Sequence, residues 1–205
     1  ATGNINATAT LAGSVHNPQA RGELQVTQGT LNQKGIESAT ASFSYHDGRL
    51  NFGSNVMVAG SEPVTITGSV PAKLPFATAA PDSDQINLDV QVKNEGLAIL
   101  NLLTDQLAFE KGQGEVNLTV RGTKEQPIVN GIAAVKDATF SAQALPGKLT
   151  DVTGKAQFDF DHIKVESLQG NFSQGNIIAQ GEIPIFTNSQ KQIDHPLNVS
   201  LNQLA

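Results

Sequence analysis

Apolar and polar residues alternate along most of this chain, and a side-chain period of two marks a β-strand with one buried face. Ile86, Leu88, Val90 and Val92 fall on one face, Asn87, Asp89, Gln91 and Lys93 on the other. Val116, Leu118 and Val120 alternate in the same way with Glu115, Asn117, Thr119 and Arg121. Shorter runs do so at Val64/Ile66, Phe43/Tyr45, Phe158/Phe160 and Ile183/Ile185. Asp47-Gly48 sits between Phe43/Tyr45 and Leu50/Phe52, a hairpin signal because such turns need positive φ. Asp161-His162 holds the corresponding place between Phe160 and Ile163. A chain patterned this way can fold only as an antiparallel sheet with one apolar face.

The chain also repeats itself. Gly13-Ser14-Val15-His16-Asn17-Pro18-Gln19-Ala20-Arg21-Gly22 returns as Gly122-Thr123-Lys124-Glu125-Gln126-Pro127-Ile128-Val129-Asn130-Gly131, offset by 122 − 13 = 109. Gly68-Ser69-Val70-Pro71 returns as Gly181-Glu182-Ile183-Pro184, offset by 181 − 68 = 113. Repetition of a supersecondary unit predicts an elongated molecule whose surface, not one pocket, is the working part. The expected organisation is a first β-module over 1–76, then a linker, strand and short helix over 77–113. A second module over 114–186 and the start of a further repeat over 187–205 complete one continuous elongated domain. Leu197 to Leu201 resembles Ile86 to Val90, and the chain opens mid-strand without methionine, so it reads as a piece of a longer repetitive protein.

Two segments depart from alternation. Pro71, Pro75 and Pro81 bracket a stretch to Asp84 that reads as a linker. From Glu95 to Phe109 the spacing of Leu97, Leu100, Leu103 and Leu107 predicts a short amphipathic helix, capped by Asn94, ended by Lys111-Gly112 and thickened by Ile99 and Leu102. Such a helix can gate one end of the sheet. About ten residues per strand and turn predicts roughly fifteen to twenty strands, stacking over about 70–95 Å.

Composition narrows the function. Net charge is −6 and no basic run is present, which argues against nucleic acid, whose phosphates demand Lys and Arg. There is no cysteine, hence no disulfide or thiolate metal site, and no apolar run long enough to span a membrane as a helix. His16, His46, His162 and His195 are scattered, and those beside Asp47, Asp161 and Asp194 read as turn residues. No nucleophile elbow, P-loop or metalloprotease motif occurs, so neither catalysis nor a metal or cofactor is expected.

Only 39% of residues are hydrophobic, enough for a thin core. The apolar face must therefore close on itself as a sandwich, or curve into an open trough lined for an apolar cargo. The lining candidates are Ile66, Ile86, Leu88, Val90, Leu118, Val120, Phe158, Phe160, Ile163 and Ile183.

The order of these features resembles the conserved carboxy-terminal region of the TamB family, within the AsmA-like group. The features are the Gly114-to-Val120 strand, the Gly122-to-Gly131 box, the Phe158-to-Asp161 hairpin, the leucine-rich helix and the Gly-x-Ile-Pro ending. Ser14 stands where the second copy has Thr123, and the Asn/Gln richness suggests a divergent, cyanobacterial-type member. The resemblance implies a taco-like all-β trough in the periplasmic part of an inner-membrane-anchored protein of a Gram-negative-type envelope. It implies phospholipid acyl chains as cargo and a TamA-like, Omp85-class outer-membrane protein as partner. The alternative it leaves open is a scaffold for outer-membrane protein assembly by β-augmentation; a plain structural spacer ranks third.

Overall fold

The computed structural model describes residues 2–31, 34–143, 145–173, 175–186 and 193–203. Its strands are β1 (Thr2–Gly13), β2 (Pro18–Leu31), β3 (Lys34–His46), β4 (Arg49–Met57), β5 (Val64–Pro71) and β6 (Asn87–Lys93). A 3-10 segment (Asn94–Ile99) and one turn of helix, α1 (Leu100–Leu103), follow. Then come β7 (Leu107–Gly122), β8 (Pro127–Ala142), β9 (Lys148–Phe160), β10 (His162–Phe172), β11 (Gly175–Pro184) and β12 (Asn198–Gln203). All twelve form one sheet in chain order, each antiparallel to the next, with β1 and β12 outermost among the described strands. The sheet is open and does not close into a barrel.

Among the described residues twelve strands replace the fifteen to twenty expected from ten-residue units, because strands such as β7 and β8 each run for 16 residues. Eleven spacings of about 4.8 Å give a stacking length of roughly 53 Å. The accessible surface is 12620 Å², whereas a compact monomer of this mass exposes about 9,200 Å². That excess is the cost of leaving a sheet face largely uncovered.

The repeat is structural. Gly13 and Gly122 have φ of 80° and 85°, and a Cβ on either would fall 2.3 or 2.4 Å from the carbonyl oxygen of Asn17 or Gln126. The hydroxyls of Ser14 and Thr123 each accept from the backbone N–H three residues on, both at 3.1 Å. The Ser/Thr difference thus preserves the turn, and Pro18 and Pro127 begin the returning strands. Asp47-Gly48 forms the expected two-residue hairpin, with φ of 48° and 72°.

The expected short helix is present but ends earlier than Phe109, as the 3-10 segment and the single α-turn to Leu103. Asn94 does not cap it: its amide donates to Glu62 at 3.0 Å and accepts from Gly114 N–H at 3.4 Å. Helix ends at Leu103 because Thr104 is extended and its hydroxyl accepts from Gln106 N–H, a local bond that competes with the next helical turn. Leu107, Lys111 and Gly112 belong to β7. The Asn101 side chain accepts from Phe109 N–H at 2.7 Å and donates to Phe109 carbonyl at 2.8 Å, clamping the short helix to that strand.

β-Bulges at one level of β7 to β10 bend the far end of the sheet. Register shifts occur around Lys111, between Val135 and Ala138, and between Val165 and Leu168. Asp137 and Asp151 adopt φ of 51° there, a conformation short polar side chains tolerate. An extra residue flips the facing parity, so Phe109 and Phe140 join the apolar side, where Val152 already lies in step with Phe158. With Val64, Val92, Leu97 and Ala138 they make the main core cluster, in which Phe109 and Phe140 pack edge to face, 5.7 Å between centroids.

Candidate functional site

The apolar face is best followed along β6 and the residue before it. Ile86 is buried at one end, Val92 at the other, and Leu88 and Val90 between them are half-buried. The first end is closed by the segment 72–86, which is not a free linker. Ala72 N–H bonds to Gly48, Thr78 and Ala79 N–H to His16, and Ile86 N–H to Gly122, so the segment crosses three hairpin turns. Arg49 fastens it by donating to Asp82, Ser83 and Gln85. Ala77 and Ile86 of the segment are themselves buried, as is Tyr45 of β3. The other end is closed by Leu97 and Leu102, seated because Gly114 has no side chain: a Cβ there would lie 2.6 Å from Leu97 Cδ1.

Between these two plugs runs an uncovered row. Pairing by register joins Ile66 to Val90, Val90 to Leu118, Leu118 through Gly131 to Phe158, Phe158 to Ile163, and Ile163 to Ile183. Six of the ten predicted lining residues therefore lie side by side, all half-buried. The row continues from Ile66 through Ser54, Ala41 and Leu24 to Ala7. Nothing along it is charged, and Ser54 donates its hydroxyl proton to the Ile66 carbonyl at 3.3 Å.

A second row, one step nearer the 72–86 segment, holds Leu88, Val120 and Phe160, joined through Val129. Ile86 is set apart from both rows; it precedes β6 and plugs the end. Phe160 closes β9 with φ of 59° and is 56% exposed, at the rim of a cavity of about 710 Å³ shared with Arg121, Thr123 and Asp161. Of the predicted helical stripe, Leu97 is buried and Leu100 packs on the core, while Leu103 faces solvent and Leu107 pairs with Ala142. Leu24, Phe43 and Phe52 also belong to the two rows; the alternation of Phe43 and Phe52 marked them as strand residues but not as lining, and for Leu24 the alternation with Glu23 and Gln25 was the available signal.

Charge is confined to the other face, the rims and the turns. Arg121 bonds Asp89 at 3.0 Å, Lys148 bonds Glu110 at 2.6 Å, and Lys155 lies 3.6 Å from Glu166. Among the described residues no three His, Asp or Glu side chains converge as a metal site. His162 is buried, not a surface turn residue, with Nδ1 against Asp161 and the following chain bonded over the turn by Ile185 N–H to the Asp161 carbonyl. No helix among the described residues is long and apolar enough to cross a membrane.

The chain is similar to two plant proteins. It is 24% identical over 108 residues, 52% of this chain, to Protein TIC236, chloroplastic, of Arabidopsis thaliana. It is 24% identical over 102 residues, 49% of this chain, to Protein SUBSTANDARD STARCH GRAIN 4, chloroplastic, of Oryza sativa subsp. japonica. The matched stretch is 5% of the length of each. No family model and no solved structure matches the chain.

Proposed function

We propose that this chain is a non-enzymatic segment of a TamB-like bridge that carries phospholipid between the two membranes of an envelope, acyl chains lying in the trough. The observation that carries the proposal is the uncharged register row from Ala7 to Ile183, left open between two plugged ends. An acyl chain needs only a continuous path of low polarity, so hydrophobic side chains suffice and no reacting group is required. Had the face served only as core, its middle would be its driest part; here the ends are dry and the middle is open. The chloroplastic relatives fit this reading, because chloroplasts, like Gram-negative-type cells, are bounded by two membranes. On this reading the segment works in the space between the membranes, and an Omp85-class protein receives it at the far side.

Native mass spectrometry of the purified chain tests the proposal. Phospholipid is expected to copurify, and Leu118→Asp to remove it while the β-sheet circular dichroism stays, since a charge in an apolar path costs several kcal/mol. Folded protein that never carries lipid would overturn it. The second reading, a scaffold for β-strand clients, rests on backbone pairing of an incoming strand at the outermost strands, β1 or β12. It gains the lead if unfolded outer-membrane proteins crosslink to β1 while lipid does not bind.

A further inference from the structure

The cavity beside Phe160 is built at the hairpin end of β7, β8 and β9, all interior strands of the sheet. Its apolar wall continues the second row, in which Leu88, Val120 and Val129 lead by register to Phe160. Phe160 holds φ of 59°, a conformation that an aromatic residue rarely adopts, and still presents more than half of itself to solvent at the cavity. Backbone strain of this kind gathers at ligand clamps. Two charges of opposite sign stand at the same cavity. Arg121 is held in place by Asp89 and by the carbonyls of Leu88 and Val120, bonds that use Nη1 and Nη2. Asp161 lies against His162 Nδ1 and keeps its carboxylate partly exposed. The Thr123 hydroxyl accepts from Gln126 N–H, so its own proton remains to donate.

We propose that this cavity seats a zwitterionic phospholipid headgroup, a phosphodiester that carries an ammonium group, as in choline and ethanolamine lipids. The inference rests on the lipid reading of the trough and adds which lipid the trough selects. With an acyl chain along the row of Leu88 and Val120, the polar end of the molecule falls at the end of that row, beside Phe160. There the phosphate meets the Arg121 guanidinium and the Thr123 hydroxyl, and the ammonium meets the Asp161 carboxylate and the π-face of Phe160. The volume of about 710 Å³ lies within the range of small-molecule sites. A headgroup of net negative charge finds no such fit, because Asp161 stands in the cavity and Asp89 already pairs with Arg121.

Native mass spectrometry of the folded chain with an equimolar mixture of phosphatidylcholine and phosphatidylglycerol, identical in their acyl chains, reads the selection. Phosphatidylcholine should bind at least about fivefold more tightly, the discrimination expected of one partly desolvated cation–π contact. Phe160→Leu keeps an apolar wall and removes the ring face; Asp161→Asn removes the carboxylate charge. Each should reduce the preference to about twofold or less while phosphatidylglycerol binding is not weakened. Circular dichroism confirms that both variants are folded. Lipid bound without headgroup preference, or a preference that either variant retains, would overturn the headgroup site and leave the lipid trough standing. A folded chain that binds neither lipid would overturn both.

Discussion

Truncating a leucine at the plug and a leucine in the open row should cost the protein very different amounts. Leu97 is 3% exposed in the main core cluster, and Leu24 is 37% exposed in the open row. Leu→Ala removes about three CH₂ equivalents at ~0.8 kcal/mol each, or about 2.4 kcal/mol when burial is complete. Scaled by burial, the transfer loss is about 2.3 kcal/mol at Leu97 and about 1.5 kcal/mol at Leu24. Leu97→Ala also leaves a cavity in the core cluster it shares with Val64, Val92 and Phe109, which brings its cost into the range of about 3–5 kcal/mol. Leu24→Ala leaves none, because its outer side is already open. Urea denaturation with the slope held common reads the difference, expected to be about 1.5–3.5 kcal/mol. Equal costs at the two positions would mean that the row is ordinary closed core, and the trough argument would fail.

Three further outcomes follow from local geometry. Gly122→Ala should destabilise by at least about 1–2 kcal/mol in thermal or chemical unfolding, since it forces an L side chain to positive φ against the Gln126 carbonyl, while Thr123→Ser should be silent because Ser14 makes the same bond. Asn101→Leu should cost about 2–3 kcal/mol by stripping partners from both Phe109 backbone groups, and hydrogen exchange at Phe109 should speed up. Tyr45→Phe should leave stability unchanged or raise it by about 1 kcal/mol, because the buried Tyr45 hydroxyl has no hydrogen-bond partner among the described residues.

The sheet, its hairpins and the repeat were legible because period-two alternation and Gly/Pro turns act over a few residues. The row from Ile66 to Ile183 was legible for the same reason: each strand declares its own inward face, and antiparallel pairing aligns the faces. The bulges were not. A single extra residue at Lys111, Asp137 or Glu166 reverses the parity, and only the pairing with neighbouring strands shows where the slip falls. Phe109 and Phe140 were therefore hidden as core residues. The leucine stripe from Leu97 to Leu107 misled because helical spacing continued past Thr104, where a hydroxyl bond and the Phe109–Phe140 contact draw the chain into β7. The 72–86 segment looked like a linker because it lacks alternation, yet its backbone groups are spent across three turns.

The central claim is that the open row, and not the opposite face, meets the acyl chains of lipid. Photoreactive residues placed singly at Leu118 and Ile163, and at their outward neighbours Asn117 and Lys164, test it in the folded chain mixed with phospholipid vesicles. The account predicts phospholipid adducts from Leu118 and Ile163 and none above background from Asn117 and Lys164. Equal labelling from both faces, or no labelling from Leu118 and Ile163, would contradict it.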